Sequence, residues 1–283
     1  MIAKRIPTIL PDLTFNEALE ITKIHSISEI LPKEKPIVTN RPFRAPHHTI
    51  SFTSLVGGGI NPRPGEISLA HYGVLFLDEL PEYNKKTLEV LREPLEDKSI
   101  TISRINASLT YPCNFMLVAS MNPCPCGFYG SKEKECTCLP DAITRYINKI
   151  SGPLLDRIDI QIEVNQVNYN KIKEEKATES SKEIKNRVNK ARKIQQERYK
   201  EYGIYSNSEL TPKLINKYCK IDNKTSKILE DAFNKLGFSA RAYNRILKVA
   251  RTIADLDEKE NIELQHVAEA IQYRNLDKKY WKN

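Results

Sequence analysis

Residues 73–79 read Gly-Val-Leu-Phe-Leu-Asp-Glu, and no other stretch constrains the fold so tightly. Four consecutive apolar residues, Val74 to Leu77, suit a strand buried on both faces of a parallel sheet. Asp78 and Glu79 then emerge together at its carboxyl end, where open α/β sheets place their ligands. Taking a strand from a dry core straight into two carboxylates is costly unless the charges find a partner. A hydrated Mg²⁺ carrying a nucleotide's phosphates is such a partner, with one carboxylate for the ion and one for the attacking water. A strand that happens to end in an acidic turn is the plainer alternative.

The hexapeptide is the Walker B pattern of P-loop ATPases, yet its companion is missing. No stretch of the 283 residues reads G-x-x-x-x-G-K-[ST], whose backbone N–H groups and lysine would cradle the β- and γ-phosphates. Gly57-Gly58-Gly59 is followed by Ile60-Asn61-Pro62, with no lysine, and reads as a flexible loop.

A chain of this length holds a sizeable core and one or two domains. No run approaches the roughly 20 apolar residues that span a bilayer, and the first residues have no apolar signal region. A cytoplasmic protein without a membrane partner is therefore expected. The net charge of +8 is uneven: residues 1–165 sum to −1 and residues 166–283 to +9. An acidic partner such as DNA would suit the second part, and a lysine-rich solvated helical surface is the alternative.

Along the chain, the first ten residues read as the end of a helix stopped near Pro7 and Pro11. Thr14-Phe-Asn-Glu17 is a capping-box signature, with Ala18, Leu19, Ile21, Ile24 and Ile27 then at helical spacing. Residues 31–46 are proline-punctuated and 47–72 loop-rich. A helix is expected over 85–97 with Leu88, Leu91 and Leu95 inward, and a β-hairpin around Asn106 with Ile100, Ile102 and Leu109 on its strands. Residues 114–120 read as another buried strand and 158–164 as a shorter one. A long polar helix is expected over 171–200, then shorter helices to the end. An α/β part thus precedes an all-helical part.

The order of several stretches is diagnostic. They are Arg41-Pro-Phe-Arg-Ala-Pro-His-His48, Pro64-Gly-Glu-Ile-Ser-Leu-Ala-His-Tyr-Gly73, the 73–80 strand, Leu91-Arg-Glu-Pro-Leu-Glu96, Met121-Asn-Pro-Cys-Pro-Cys-Gly127, Gly152-Pro-Leu-Leu-Asp-Arg-Ile-Asp-Ile160 and the 239–256 segment. In that order they resemble the magnesium-chelatase-like AAA+ ATPases, and within them the YifB/ComM competence-protein branch, over essentially the whole chain. The resemblance implies an α/β fold class: an incomplete AAA+ P-loop NTPase core, a parallel sheet with helices and a β-hairpin insert, followed by an all-helical C-terminal lid domain. The corresponding boundaries are 1–165 for the core, 166–205 for a basic linker helix and 206–283 for the lid. It further implies that Asp78 binds the Mg²⁺ of Mg·ATP and that Glu79 polarises the attacking water. Asn122 matches sensor 1, Arg157 an arginine finger reaching an adjacent subunit, and Arg241 sensor 2. Such a finger is typically worth ~10³–10⁵ in rate. Taken singly, an Asn before Pro is often a turn residue, and an Arg between two Asp residues often makes a weak exposed ion pair.

In that family the phosphate-binding loop comes just before a helix like the one at Met1, so the chain is expected to be the C-terminal part of a longer protein and to be inactive alone. The implied function is ATP-driven DNA remodelling, branch migration or unwinding, by a homo-oligomeric hexameric ring during recombination of incoming DNA. A metal-insertion ATPase subunit of the magnesium-chelatase type and a non-catalytic remnant are the alternatives.

Cys124-x-Cys126 and Cys136-x-Cys138, nine residues apart, offer four thiolates on one loop, enough for a structural Zn²⁺. Reduced free thiols or a disulfide remain the alternatives. Cys113 and Cys219, isolated among apolar residues, read as small core residues. His47-His48 is not assigned to a metal, since neighbours on a regular element point different ways.

Overall fold

The computed structural model describes residues 2–31, 34, 36–59, 62–104, 107–131, 134–164, 179–274 and 276. The expected turn at Asn106 and the first part of the 171–200 helix lie outside them. The chain divides into two compact units, Met1–Arg157 and Ile158–Asn283.

In the first unit, Pro7 stands in the first turn of α1 (Ile6–Ile9), where its missing N–H costs nothing, so it opens a helix where the sequence suggested a stop. The capping box forms as expected at α2 (Phe15–Ile27). Thr14 Oγ1 accepts from the Glu17 N–H at 3.2 Å, and Glu17 returns the bond to the Thr14 N–H at 2.8 Å. Only part of the expected apolar face is buried: Ala18, Ile21 and Ile24 face inward, whereas Leu19 and Ile27 are exposed.

The strands β1 (Phe43–Arg44), β4 (Val74–Leu77) and β7 (Met116–Ala119) form a parallel sheet in the order β1-β4-β7. Between β1 and β4 come α3 (Phe52–Val56), β2 (Gly57–Gly58), β3 (Arg63–Pro64) and α4 (Glu66–Leu69). β4 lies in the middle, with Val74, Leu75 and Leu77 fully buried. Gly73 makes this pairing possible, because a Cβ there would lie 2.1 Å from the Pro42 carbonyl oxygen. β7 is less buried than its composition suggests: Met116 is exposed, as befits a strand paired on one flank among the described residues. The glycine run is not a loose loop. Gly57 and Gly58 pair antiparallel with Pro64 and Arg63, at φ values of 109° and 145° that favour glycine.

The single helix expected over 85–97 is broken into α5 (Lys85–Glu89) and α6 (Arg92–Asp97). Pro94 is the reason: inside a continuous helix it would remove a hydrogen bond and clash with the preceding turn, whereas the break places it in the first turn of α6. Leu88 and Leu91 are buried, and Leu95 only half so. The hairpin forms from β5 (Ser99–Arg104) and β6 (Ala107–Pro112), with Ile100 and Ile102 buried and Leu109 exposed. Then follow α7 (Pro140–Ile147) and α8 (Gly152–Leu155).

The second unit is helical. Helices Ser181–Arg198, Asn223–Leu236 and Ala240–Leu256 each start at a side chain that accepts a backbone N–H, from Ser180, Asp222 and Ser239 respectively. With Pro212–Tyr218 and Leu264–Gln272 they enclose a core that includes Leu214, Leu229, Ile246, Ala250 and Val267. The strand expected over 158–164 is absent. Ile160, Ile162 and Val164 are exposed, and no neighbouring strand among the described residues pairs with them.

Candidate functional site

β4 delivers Asp78 and Glu79 to the surface at its carboxyl end, and both are exposed. Main-chain bonds tie this end to the next strand: the Ser120 N–H donates to the Leu77 carbonyl at 3.0 Å and the Leu80 N–H to the Ser120 carbonyl at 2.9 Å. The Ser120 hydroxyl donates to Asp78 Oδ1 and so fixes the carboxylate's orientation. Glu79 has a left-handed backbone, φ 52° and ψ 52°. For a residue with a side chain this costs about 1–3 kcal/mol, and such strain gathers at functional sites.

His48 Nδ1 lies 3.5 Å from Glu79 Oε2, and the His47 and His48 rings lie 4.0 Å apart at 35°. The two rings therefore sit side by side, contrary to expectation, because residues 47–49 form an irregular turn and not a regular element. That turn is tied to the acid pair by Tyr83, whose hydroxyl donates to the Pro46 carbonyl at 2.6 Å. Burial, and then the charge of Asp78, pushes the Tyr83 phenol up to about 12.

Asn122 follows β7 and is exposed. Its main-chain N–H bonds the phenol of Tyr146 on α7, which is 5% exposed. Burial first, then the charge of Glu82, pushes that phenol up to about 12, against the pull of the Asn122 bond.

The sulfurs of Cys124, Cys126, Cys136 and Cys138 all lie within 4.8 Å of one another, with separations of 3.3, 3.7 and 3.5 Å among the first three. Four Zn–S bonds of about 2.3 Å in a tetrahedron place sulfurs ~3.8 Å apart, so the donor set fits that ion. The Tyr129 N–H donates to Cys124 Sγ at 3.3 Å. Gly127 and Gly130 take φ values of 83° and 78° in the intervening turns. The Phe128 N–H, more than any other group, pulls the Cys126 thiol down to about 6. Cys113 and Cys219 are buried, and burial pushes their thiols up to about 12 and about 11.

Arg157 follows α8, with its side chain only 8% exposed. Its Nη1 donates to the Pro153 carbonyl at 2.8 Å and its Nη2 to Glu96, beside an open cleft of about 350 Å³ lined also by Glu89, Glu93 and Asp97. Arg241 is the second residue of the helix Ala240–Leu256 in the other unit, and it is exposed. The structure therefore gathers Asp78, Glu79 and Asn122 at adjacent strand ends, places the cysteines directly after Asn122, and holds Arg157 on Glu96. His48, Ser120, Tyr83 and Tyr146 join the site without having been singled out for it. Of these, only His48 lay in a stretch that carried the resemblance.

A parallel sheet whose middle strand ends in paired carboxylates, followed in the chain by a helical unit, is the architecture of an AAA+-like α/β core with a helical lid. Residues 1–172 match the family described as magnesium chelatase, subunit ChlI, and residues 178–274 match its C-terminal family. The chain belongs to this magnesium-chelatase-like family. Competence protein ComM of Haemophilus influenzae is 46% identical over 277 residues, which is 97% of this chain and 53% of that protein. YifB of Escherichia coli is 45% identical over 98% of the chain and 54% of its own length. Rv2897c of Mycobacterium tuberculosis is 37% identical over 97% and 54%. The chain thus spans about half the length of the curated relatives it matches. Among the described residues no helix is long and apolar enough to cross a membrane.

Proposed function

We propose that this chain carries the water-activating side of an ATP-hydrolysing motor that remodels DNA in the cytoplasm. The observation that carries the reading is the acid pair at the end of the middle strand, with Asp78 oriented by Ser120 and Glu79 turned toward His48. Mg²⁺, when bound, supplies positive charge against the phosphates. Asp78 is the residue to hold it, its carboxylate already fixed by the Ser120 hydroxyl. Glu79, exposed and next to a single imidazole, is free to take a proton from water. Asn122, at the neighbouring strand end, orients that water as a neutral donor. Arg157 serves the site of an adjacent subunit in a six-membered ring, which requires it to leave Glu96. Arg241 reaches the nucleotide from the helical unit. The four-cysteine knuckle holds one Zn²⁺.

DNA is the favoured partner on two grounds. The excess charge of +9 lies in residues 166–283, and a relative sharing 46% identity is named for competence. The magnesium-chelatase description of the family keeps metal insertion as the second reading. Because no G-x-x-x-x-G-K-[ST] stretch is present, calorimetry on this chain should show no micromolar affinity for Mg·ATP. In a polypeptide that joins such a loop to this chain, Glu79→Gln should keep ATP binding and lower turnover by about 10² or more. Turnover near the parent rate would remove Glu79 as the base.

A further inference from the structure

The cysteine knuckle is bracketed by the site on one side and by a buried helix on the other. Asn122 stands two residues before Cys124, and two residues before Asn122 is Ser120, the partner of Asp78. At the far end, Pro140 opens α7 two residues after Cys138. α7 then buries Ile143, Tyr146 and Ile147. The Asn122 N–H closes the circuit by bonding the Tyr146 phenol. A segment of fifteen residues, 124–138, is thus tied at both ends to one buried helix, and its own four sulfurs converge within 4.8 Å. Short loops of this kind have few packed side chains of their own: among the four cysteines only Cys124 is buried. Something other than a hydrophobic core has to order the segment, and a metal closing four thiolates can do so outright.

We infer that a Zn²⁺ held by Cys124, Cys126, Cys136 and Cys138 acts as a clamp that sets the position of Asn122, with Tyr146 as the positioning residue that carries the constraint. This rests on the zinc reading of the knuckle proposed above. The metal shortens the loop from inside, α7 anchors its exit, and the Tyr146 hydroxyl fixes its entry at the Asn122 amide. Asn122 is held because both neighbours in the circuit are held, not through any ligand of its own. Removing the metal should loosen Asn122 while leaving β4 in place, since β4 is secured by its own pairing with β1 and β7.

The test uses the intact 283-residue chain, purified without chelator. Elemental analysis should give about one zinc per chain. Hydrogen exchange read by mass spectrometry should then compare three segments: 121–128, 140–147 and, as reference, 73–77. Stripping the zinc should speed exchange at the Asn122 amide by tenfold or more, with the reference unchanged. Tyr146→Phe should retain the zinc and speed exchange at Asn122 by about fivefold, the loss expected for one hydrogen bond. No zinc and four titratable thiols would overturn the metal site and the clamp with it. One zinc per chain, with Asn122 exchange unmoved both by stripping and by Tyr146→Phe, would overturn the clamp alone and leave the metal site standing.

Discussion

Asp255 offers the sharpest test of how the helical unit holds Arg241, because the two residues sit near opposite ends of one helix, Ala240–Leu256. The Asp255 carboxylate is completely buried. Its Oδ1 accepts from Arg198 Nη2 at 2.6 Å and Arg251 Nε at 3.1 Å. Its Oδ2 accepts from Arg198 Nη1 at 3.0 Å, Asn207 Nδ2 at 2.8 Å and Gln195 Nε2 at 3.2 Å. Replacement by Ala leaves Arg251, itself 2% exposed, without its counter-charge in a dry site. Breaking a buried pair from one side costs about 3–5 kcal/mol. At roughly 4–8 °C per kcal/mol for a unit of this size, the midpoint should fall by at least ~12 °C. Asn cannot substitute, because in either orientation its NH₂ meets at least two donors that the carboxylate oxygen had satisfied. Asp255→Asn should therefore lose most of what Asp255→Ala loses. Urea titrations followed by far-UV circular dichroism, fitted with a common slope, give both numbers. A loss below about 1 kcal/mol for Asp255→Ala would mean that the desolvation of the carboxylate already cancels its five contacts, and the reasoning would fail.

Stability of the first unit should depend on pH through two histidines. Burial lowers the pKa of His71, whose Nδ1 accepts from the Asn114 N–H at 3.0 Å, and of His25, whose Nε2 faces the Leu69 carbonyl at 3.1 Å. Their folded pKa values lie below the unfolded value of about 6.5, so their contribution is complete above that pH and is lost as pH falls through the folded values. Stability that rises between pH 7 and pH 5 in chemical denaturation would contradict this. The trans role of Arg157 predicts that, in the loop-restored protein, Glu79→Gln and Arg157→Ala subunits, each nearly inactive, regain ATPase activity when mixed. Freely exchanging subunits with no recovered activity would leave Arg157 as the structural partner of Glu96.

Legibility in the sequence followed the range of the forces involved. The β4 strand, the capping box at Thr14 and Glu17, and the hairpin strands rest on local patterns, and each stands where the sequence indicated. The failures came where a long-range partner decides. Residues 158–164 have the alternation of a strand, but a strand needs a neighbour, and no sequence pattern supplies one. α5 and α6 are separate because a single residue, Pro94, overrides the leucine spacing around it. Tyr83 and Tyr146 carry no motif at all: their importance lies in what they reach, the Pro46 carbonyl and the Asn122 amide, more than 20 residues away in each case.

The acid pair shows how such partners turn a motif into a site. Had β4 simply continued, Asp78 and Glu79 would point to opposite faces of the sheet, and only one could serve a ligand at its edge. The left-handed turn at Glu79 ends the alternation there, so both carboxylates stay at the strand end with different neighbours. Asp78 meets a hydroxyl that can only orient it, while Glu79 meets an imidazole that can share a proton. Two residues of one charge, adjacent in the chain, thereby acquire two chemistries: one fixed and anionic, suited to a cation, and one loosely held, suited to proton transfer. The sequence carries the carboxylates, but the division of labour between them comes from Ser120 and His48, contributed by two other segments of the sheet.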